Sequence, residues 1–293
     1  MPGILAQLKE KATAKFQEMR LDFDEVTTLG TPRRTALLVK NLAETQQGAS
    51  SEYKGPSTAI AFDKDGNPTK AAIGFARGKK VDVADLVVKD GYVYAVSSEE
   101  GKQTVELLPT LLKELVEGLN FPKNMRWGDL DFRFVRPLRW LVALYDEEVI
   151  DFTVANVTSG RVSRGHRFLS EGDFTINKAS DYEQACKDAF IIVDQEKRRD
   201  IIKAQIEEIA KAHNGHAEIT EDLLEEVIYL VEYPTALCGT FEDKYLKLPK
   251  EAVMTPMRDH QRYFPVYKKD GSLLPYFIAV RNGDANHLDI VRA

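Results

Sequence analysis

The stretch Ser159-Gly160-Arg161-Val162-Ser163-Arg164-Gly165-His166-Arg167-Phe168 sets three guanidiniums and one imidazole among small residues. That mixture suits a polyanion. Arginine offers a planar fork of donors to phosphate oxygens, and glycine and serine let a phosphate backbone come close to the main chain. Phosphate or nucleic-acid contact through Arg161, Arg164, His166 and Arg167 is one reading. The other is a solvated loop whose arginines pair with Glu171, Asp173 or Asp151, because exposed ion pairs are common and weak. A second cluster tips the balance. Met257-Arg258-Asp259-His260-Gln261-Arg262-Tyr263-Phe264 again interleaves cations with rings, which backbone neutralisation combined with base stacking requires. Arg258, His260 and Arg262 therefore join the candidates, and the two clusters are expected to form parts of one binding face.

Other chemistries find less support in the residues. Gly74-Phe75-Ala76-Arg77-Gly78-Lys79-Lys80 has one residue too few between its glycines for a phosphate loop and no Ser or Thr after the lysines, so Gly78 reads as a helix C-cap. His213 and His216 have no second pair at ligand spacing, and Asp63-Lys64-Asp65-Gly66 lacks the later acidic positions of a calcium loop. No metal is expected in this chain. No Gly-x-Ser-x-Gly elbow and no Cys/His pair at plausible spacing stands out, so no catalytic residue is assigned. Trp127 and Trp140 are expected to pack in a core or a cleft wall, given the area a tryptophan buries.

Composition frames these candidates. At 293 residues, 43% hydrophobic and 9% aromatic, the chain can bury one large core or two ordinary ones. No run approaches the roughly eighteen apolar residues of a membrane helix, and the start at Met1-Pro2-Gly3-Ile4 lacks the sections of a secretory signal. With two distant cysteines, Cys186 and Cys238, and no CxxC spacing, a reduced cytoplasmic setting is expected. The net charge of −6 would argue against a nucleic-acid binder, but charge distribution matters more than its sum. Seven of the seventeen arginines fall between Arg126 and Arg167, which allows a local basic surface on an acidic protein.

The elements that must carry these residues read as α+β. Ile4, Leu5, Leu8, Ala12, Phe16 and Met19 have helical spacing, Thr35 to Val39 reads as a strand, and Ser50 to Ser57 reads as a Gly/Pro-containing linker. A small insertion around 50–100 holds a short helix at 69–78 and a hairpin, Leu86 to Val88 and Tyr92 to Val96, around Asp90-Gly91. A leucine-rich helix follows from Leu107 to Leu119, then a strand from Leu138 to Leu144 behind Pro137. Residues 179–231 are helical with a break at Asn214-Gly215, and a last hairpin joins Tyr263–Tyr267 to Leu273–Val280 around Asp270-Gly271. The expected layout is a discontinuous β core over 1–175, a helical section over 176–230 and a return to the core over 231–293.

Three segments closely resemble the β subunit of the bacterial two-subunit glycine–tRNA ligase. They are Met125-Arg126-Trp127-Gly128-Asp129 with Phe134 to Leu144; Ser159-Gly160-Arg161 with Arg164-Gly165-His166-Arg167-Phe168; and Val231-Glu232-Tyr233-Pro234 through Leu248-Pro249-Lys250-Glu251 and Met257 to Val266 to Asn282-Gly283-Asp284. Gly30-Thr31-Pro32-Arg33-Arg34 and the helix from Ala71 to Gly78 extend the likeness along the chain. The resemblance implies an α2β2 assembly in which the α subunit activates glycine with ATP and magnesium and the β subunit binds tRNA(Gly), with no cofactor in this chain and neither DNA nor membrane as a partner. It implies an N-terminal fragment without the family's HD-type and anticodon-binding regions, and a fold like the B3/B4 module of the phenylalanine–tRNA ligase β subunit. As part of the ligase the chain is enzymatic, while alone it is expected to be non-catalytic. Two alternatives stay open: an editing-type hydrolase of mischarged tRNA, and a structural module that binds only α.

Overall fold

The computed structural model describes residues 1–292, and for Arg292 the main chain alone. Apolar residues three and four apart build α1 (Pro2–Glu18), whose Leu5, Leu8, Ala12 and Phe16 are all buried. A two-stranded ribbon follows, β1 (Glu25–Thr31) and β2 (Arg34–Lys40), turning through Pro32-Arg33. β1 carries threonines and a glycine instead of a plain apolar alternation, which left it out of the sequence-based expectation.

The stretch read as a linker is a strand, β3 (Ala49–Ser57). Its small residues and Gly55-Pro56 disguised it, and the register with its neighbour shifts between Lys54 and Ser57, the kind of irregularity where a strand tolerates proline. α2 (Thr58–Ala61), α3 (Lys70–Gly78), β4 (Val87–Lys89) and β5 (Tyr92–Glu99) follow. The sheet runs β3-β5-β4, antiparallel throughout, and Ala61, Ala72 and Val93 form its small core with Phe75 and Leu86 packed against them. Asp90, at φ +50°, and Gly91, at φ +77°, are both left-handed, as a two-residue turn between β4 and β5 requires.

α4 (Thr104–Glu117) buries Leu108, Leu111 and Leu115 on one face. The strand expected over 138–144 is divided in two: β6 (Leu141–Val142) pairs in parallel with β10 (Val157–Gly160), whereas β7 (Leu144–Tyr145) pairs with β8 (Glu148–Val149). The main chain changes partner at Ala143, whose N–H goes to Gly160 and whose carbonyl accepts from Ile150. β9 (Thr153–Val154) flanks β10, and β11 (Val162–Arg164) pairs with β12 (Asp173–Thr175).

The helical section consists of α5 (Tyr182–Asp188), α6 (Gln195–Ala212) and α7 (Glu221–Ile228), with the short β13 (His216–Ala217) after the Asn214-Gly215 break. Asp194 caps α6 by accepting from the N–H groups of Glu196 and Lys197. β14 (Pro234–Thr240) starts at a proline, where its missing donor is tolerated. Then come α8 (Lys250–Thr255), a π-helical turn at Pro256–His260, β15 (Phe264–Tyr267), β16 (Leu273–Asn282) and α9 (Leu288–Arg292). The antiparallel sheet β13-β15-β16-β14 buries Phe264, Val266 and Ile278 against Ile202, Ile206, Leu224 and Ile228 of α6 and α7.

The chain divides into two compact units. One comprises Met1–Thr13, Glu25–Val39 and the residues from Leu108 onward; the other comprises Ala14–Asp24 and Lys40–Leu107. Among the described residues the strands form six small sheets, and no helix is long and apolar enough to cross a membrane.

Candidate nucleic-acid interface

The first unit is organised around one buried carboxylate. Glu232, just before β14, is 1% exposed. Its Oε1 accepts from Thr31 Oγ1 at 2.7 Å and lies 3.2 Å from Arg34 Nε, and its Oε2 accepts from Arg33 Nη1 at 3.3 Å. Arg34 is itself buried, and its Nε approach to Glu232 is an ion pair without hydrogen-bond alignment; among the described residues its Nε and Nη1 have no hydrogen-bond partner. The same guanidinium borders Cys186, whose thiol burial pushes up in pKa while the nearby positive charge partly opposes it. The β1–β2 turn then reaches the arginine-rich stretch directly. Arg33 Nη1 donates to Gly165 O at 3.1 Å and Arg34 Nη2 to Arg164 O at 3.0 Å.

His166 is a correction to the sequence reading. It is 1% exposed, and both of its ring nitrogens are used within the chain. Nδ1 accepts from the N–H groups of Phe168 and Leu169, each at 3.3 Å. Nε2 therefore carries the proton and donates to Asn282 Oδ1 at 3.0 Å, an oxygen that also accepts from Glu232 N and Tyr233 N. No ring nitrogen is left for a ligand in this arrangement. Instead His166 folds residues 165–169 into a tight turn, and Gly165 is needed there: a Cβ would meet Ser170 Oγ at 1.9 Å. The turn presents Arg167 and Phe168 outward. Phe168 is 75% exposed, with the Arg167 guanidinium 5.8 Å from its ring centroid.

The remaining arginines of this cluster divide by what they touch. Arg161 donates to Glu147 O and Asn177 O, fastening two loops, so much of its hydrogen-bonding capacity is used internally. Arg164 lies 3.7 Å from Asp173, one of the partners expected for a solvated loop, and 5.6 Å from the Trp140 centroid. Arg33 and Arg34 lie 5.8 and 5.7 Å from the same ring, which makes Trp140 the wall around which three guanidiniums gather. A depression of about 220 Å³ beside it is lined by Arg139, Trp140, Leu141, Thr158, Arg164 and Asp173. Trp127 packs edge-on to Phe132 in a separate aromatic cluster with Phe121 and Phe134.

The second cluster sits on the π-helical turn and beyond it. Arg258 Nε pairs with Asp259 at 2.9 Å, His260 is exposed, and Arg262 pairs with Glu226 of α7 at 2.7 Å. Arg262 adopts φ +60°, and Tyr263 stacks on Phe277 at 4.6 Å. These contacts stay within the cluster or go to neighbouring elements. Nearby, burial and then the Glu218 carboxylate push the Tyr267 phenol from 10.0 up to about 12. Between those values the unfolded chain has lost this proton and the folded chain keeps it, so stability falls as pH rises through the window. Phenolate absorbance is expected to show a late-titrating tyrosine near pH 12 that Tyr267→Phe removes; an unchanged titration curve in the variant would contradict the assignment.

Sequence reasoning passed over Thr31, Arg33, Arg34, Arg198, Glu232 and Asn282 as site residues. Glu232 left a signal, a lone carboxylate between Val231 and Tyr233 at the start of a buried strand. The geometry defines an α+β module whose buried charges and amides hold a turn bearing a cation and a ring out to solvent. The family follows from comparison of the sequence: the model for the glycyl-tRNA synthetase beta subunit matches residues 1–293, and this chain belongs to that family. It is 48% identical over 293 residues to a glycine–tRNA ligase beta subunit from Desulforamulus reducens, covering 99% of this chain and 42% of that protein. Proteins of the same description from Desulfitobacterium hafniense (strain Y51) and Clostridioides difficile are 49% and 45% identical, with 100% and 99% of this chain covered and 43% and 42% of theirs. The chain thus spans less than half the length of these relatives.

Proposed function

We propose that the chain supplies a tRNA-binding and assembly module to a cytoplasmic glycine–tRNA ligase that attaches glycine to tRNA(Gly) at the expense of ATP. In this reading a separate α subunit holds ATP and magnesium and performs the activation, the assembly is α2β2, and the α+β core is akin to the B3/B4 module of the phenylalanine–tRNA ligase β subunit. The observation that carries the reading is the family match over residues 1–293. The geometry supports it through the outward Arg167–Phe168 pair and the half-exposed Arg164 beside Trp140, which together offer phosphate neutralisation and a ring for stacking. His166 takes part as the positioning residue of that turn, and Arg161 as a loop fastener with part of its guanidinium exposed.

Arg164→Glu/Arg167→Glu is expected to weaken tRNA binding and to flatten the dependence of log K on log salt by about 0.7–0.9 for each phosphate no longer neutralised. The measurement is a binding titration of the 293-residue chain at several salt concentrations. Equal affinity and equal slope in wild type and variant would remove these residues from the RNA interface.

A further inference from the structure

The β3-β5-β4 sheet has one face closed by helices and one left open. Side chains alternate along β5: Val93 and Ala95 are fully buried, so Tyr92, Tyr94 and Val96 stand on the opposite face. Tyr92 is 37% exposed and Val96 39%, with Val87 of β4 beside them at 47%. Strand register supplies the cations. Lys54 of β3 lies opposite Tyr94, and Lys89 of β4 lies opposite Tyr92. Each ammonium then leans across to the other ring: Lys54 Nζ is 3.6 Å from the Tyr92 centroid and Lys89 Nζ 5.9 Å from that of Tyr94. Glu52, opposite Val96, approaches Lys89 at 3.8 Å.

Two rings two residues apart on a central strand are spaced by about 7 Å, within reach of successive bases of an extended strand. Their faces match what unpaired nucleotides expose and a duplex conceals. Lysines on both flanking strands put positive charge where the sugar–phosphate chain of such a segment would run, and an ammonium held over an exposed ring is only weakly bound there. We infer that this open face is a stacking platform for a short unpaired RNA segment, with two successive bases on Tyr92 and Tyr94 and the flanking phosphates on Lys54 and Lys89. The choice of RNA as partner rests on the function proposed above; the sheet and the Arg167–Phe168 turn belong to different compact units.

The test is fluorescence anisotropy of the 293-residue chain with a labelled single-stranded oligouridylate and with a duplex of equal length. The single strand is expected to bind more tightly than the duplex. Tyr92→Ala/Tyr94→Ala should weaken single-strand binding about tenfold or more for each ring removed, while Tyr92→Phe/Tyr94→Phe stays within about twofold of wild type, since stacking needs the ring and not the hydroxyl. Lys54→Gln/Lys89→Gln should lower the salt slope by about 0.7 for each phosphate left without its lysine, and this variant decides the matter if circular dichroism shows the alanine variant unfolded. The tyrosine and lysine variants report on this sheet face and Arg164→Glu/Arg167→Glu reports on the turn through tRNA binding, so the two readings fail separately. Equal binding by wild type and the alanine variant, or preference for the duplex, would overturn the inference. So would loss of α-subunit capture in the tyrosine variant with RNA binding unchanged, which would make the face a protein-docking surface.

Discussion

Glu232→Gln is expected to unfold at a lower urea concentration than the wild-type chain, by the equivalent of about 3–5 kcal/mol, the range seen when one partner of a buried ion pair is removed. The substitution keeps the shape of the side chain and an oxygen for the Thr31 hydroxyl, while it removes the charge and replaces the acceptor facing Arg33 with an amide donor. Most of the loss comes from Arg34, which is buried and, among the described residues, has no hydrogen-bond partner at Nε and Nη1 and no ion pair besides the one with this carboxylate. Arg33 adds little, because its side chain is a third exposed and water screens it. The unfolding slope should stay constant while the midpoint moves, since the surface buried by the fold does not change. Combining the change with Arg34→Met should recover part of the loss, because the stranded charge then disappears as well. A Glu232→Gln midpoint within the equivalent of about 1 kcal/mol of wild type would place this pair with ordinary surface ion pairs.

How much of this was legible in the sequence depended on the range over which each feature is decided. α1, α4, α6 and α7 were readable because burial imposes a spacing of three and four on a helix, and the Asp90-Gly91 and Asp270-Gly271 hairpins because the turn chemistry is local. β3 and β14 were not, since glycine, serine and proline in a short strand resemble a loop until a partner strand takes up their hydrogen bonds. The arginine clusters were visible as clusters, but composition could not say which members face inward. His166 is turned inward by Asn282, 116 residues away, and Arg33 and Arg34 are drawn to a carboxylate about 200 residues away. Arg198 is the clearest case. It sits in Gln195-Glu196-Lys197-Arg198-Arg199-Asp200, which reads as a solvated helical turn, yet it is fully buried.

Arg198→Met is expected to destabilise the fold by about 3 kcal/mol or more, with the sign set by a contest between desolvation and hydrogen bonding. The guanidinium donates Nε to Ile228 O at 3.2 Å, Nη1 to Ile192 O at 2.6 Å and Val193 O at 3.0 Å, and Nη2 to Gly30 O. One planar group thereby ties α6 to the C-terminus of α7, to the loop before α6 and to β1. Burial lowers its pKa from 12.5 to about 10, so it remains charged at neutral pH and bears a desolvation cost that methionine would relieve. Against that relief, four carbonyls lose a charged donor, each such bond contributing about 1.5–3 kcal/mol. The sum exceeds an effective desolvation penalty of several kcal/mol, so the hydrogen bonds win. Arg198→Lys distinguishes fork geometry from charge: a compact ammonium cannot aim donors in three directions across the span of a guanidinium, so the lysine variant should be no more stable than the methionine one. Denaturant midpoints of the two variants decide between them. Wild-type stability in Arg198→Met would mean that desolvation cancels the four bonds, and recovery by lysine alone would mean that charge, not the fork, holds these elements together.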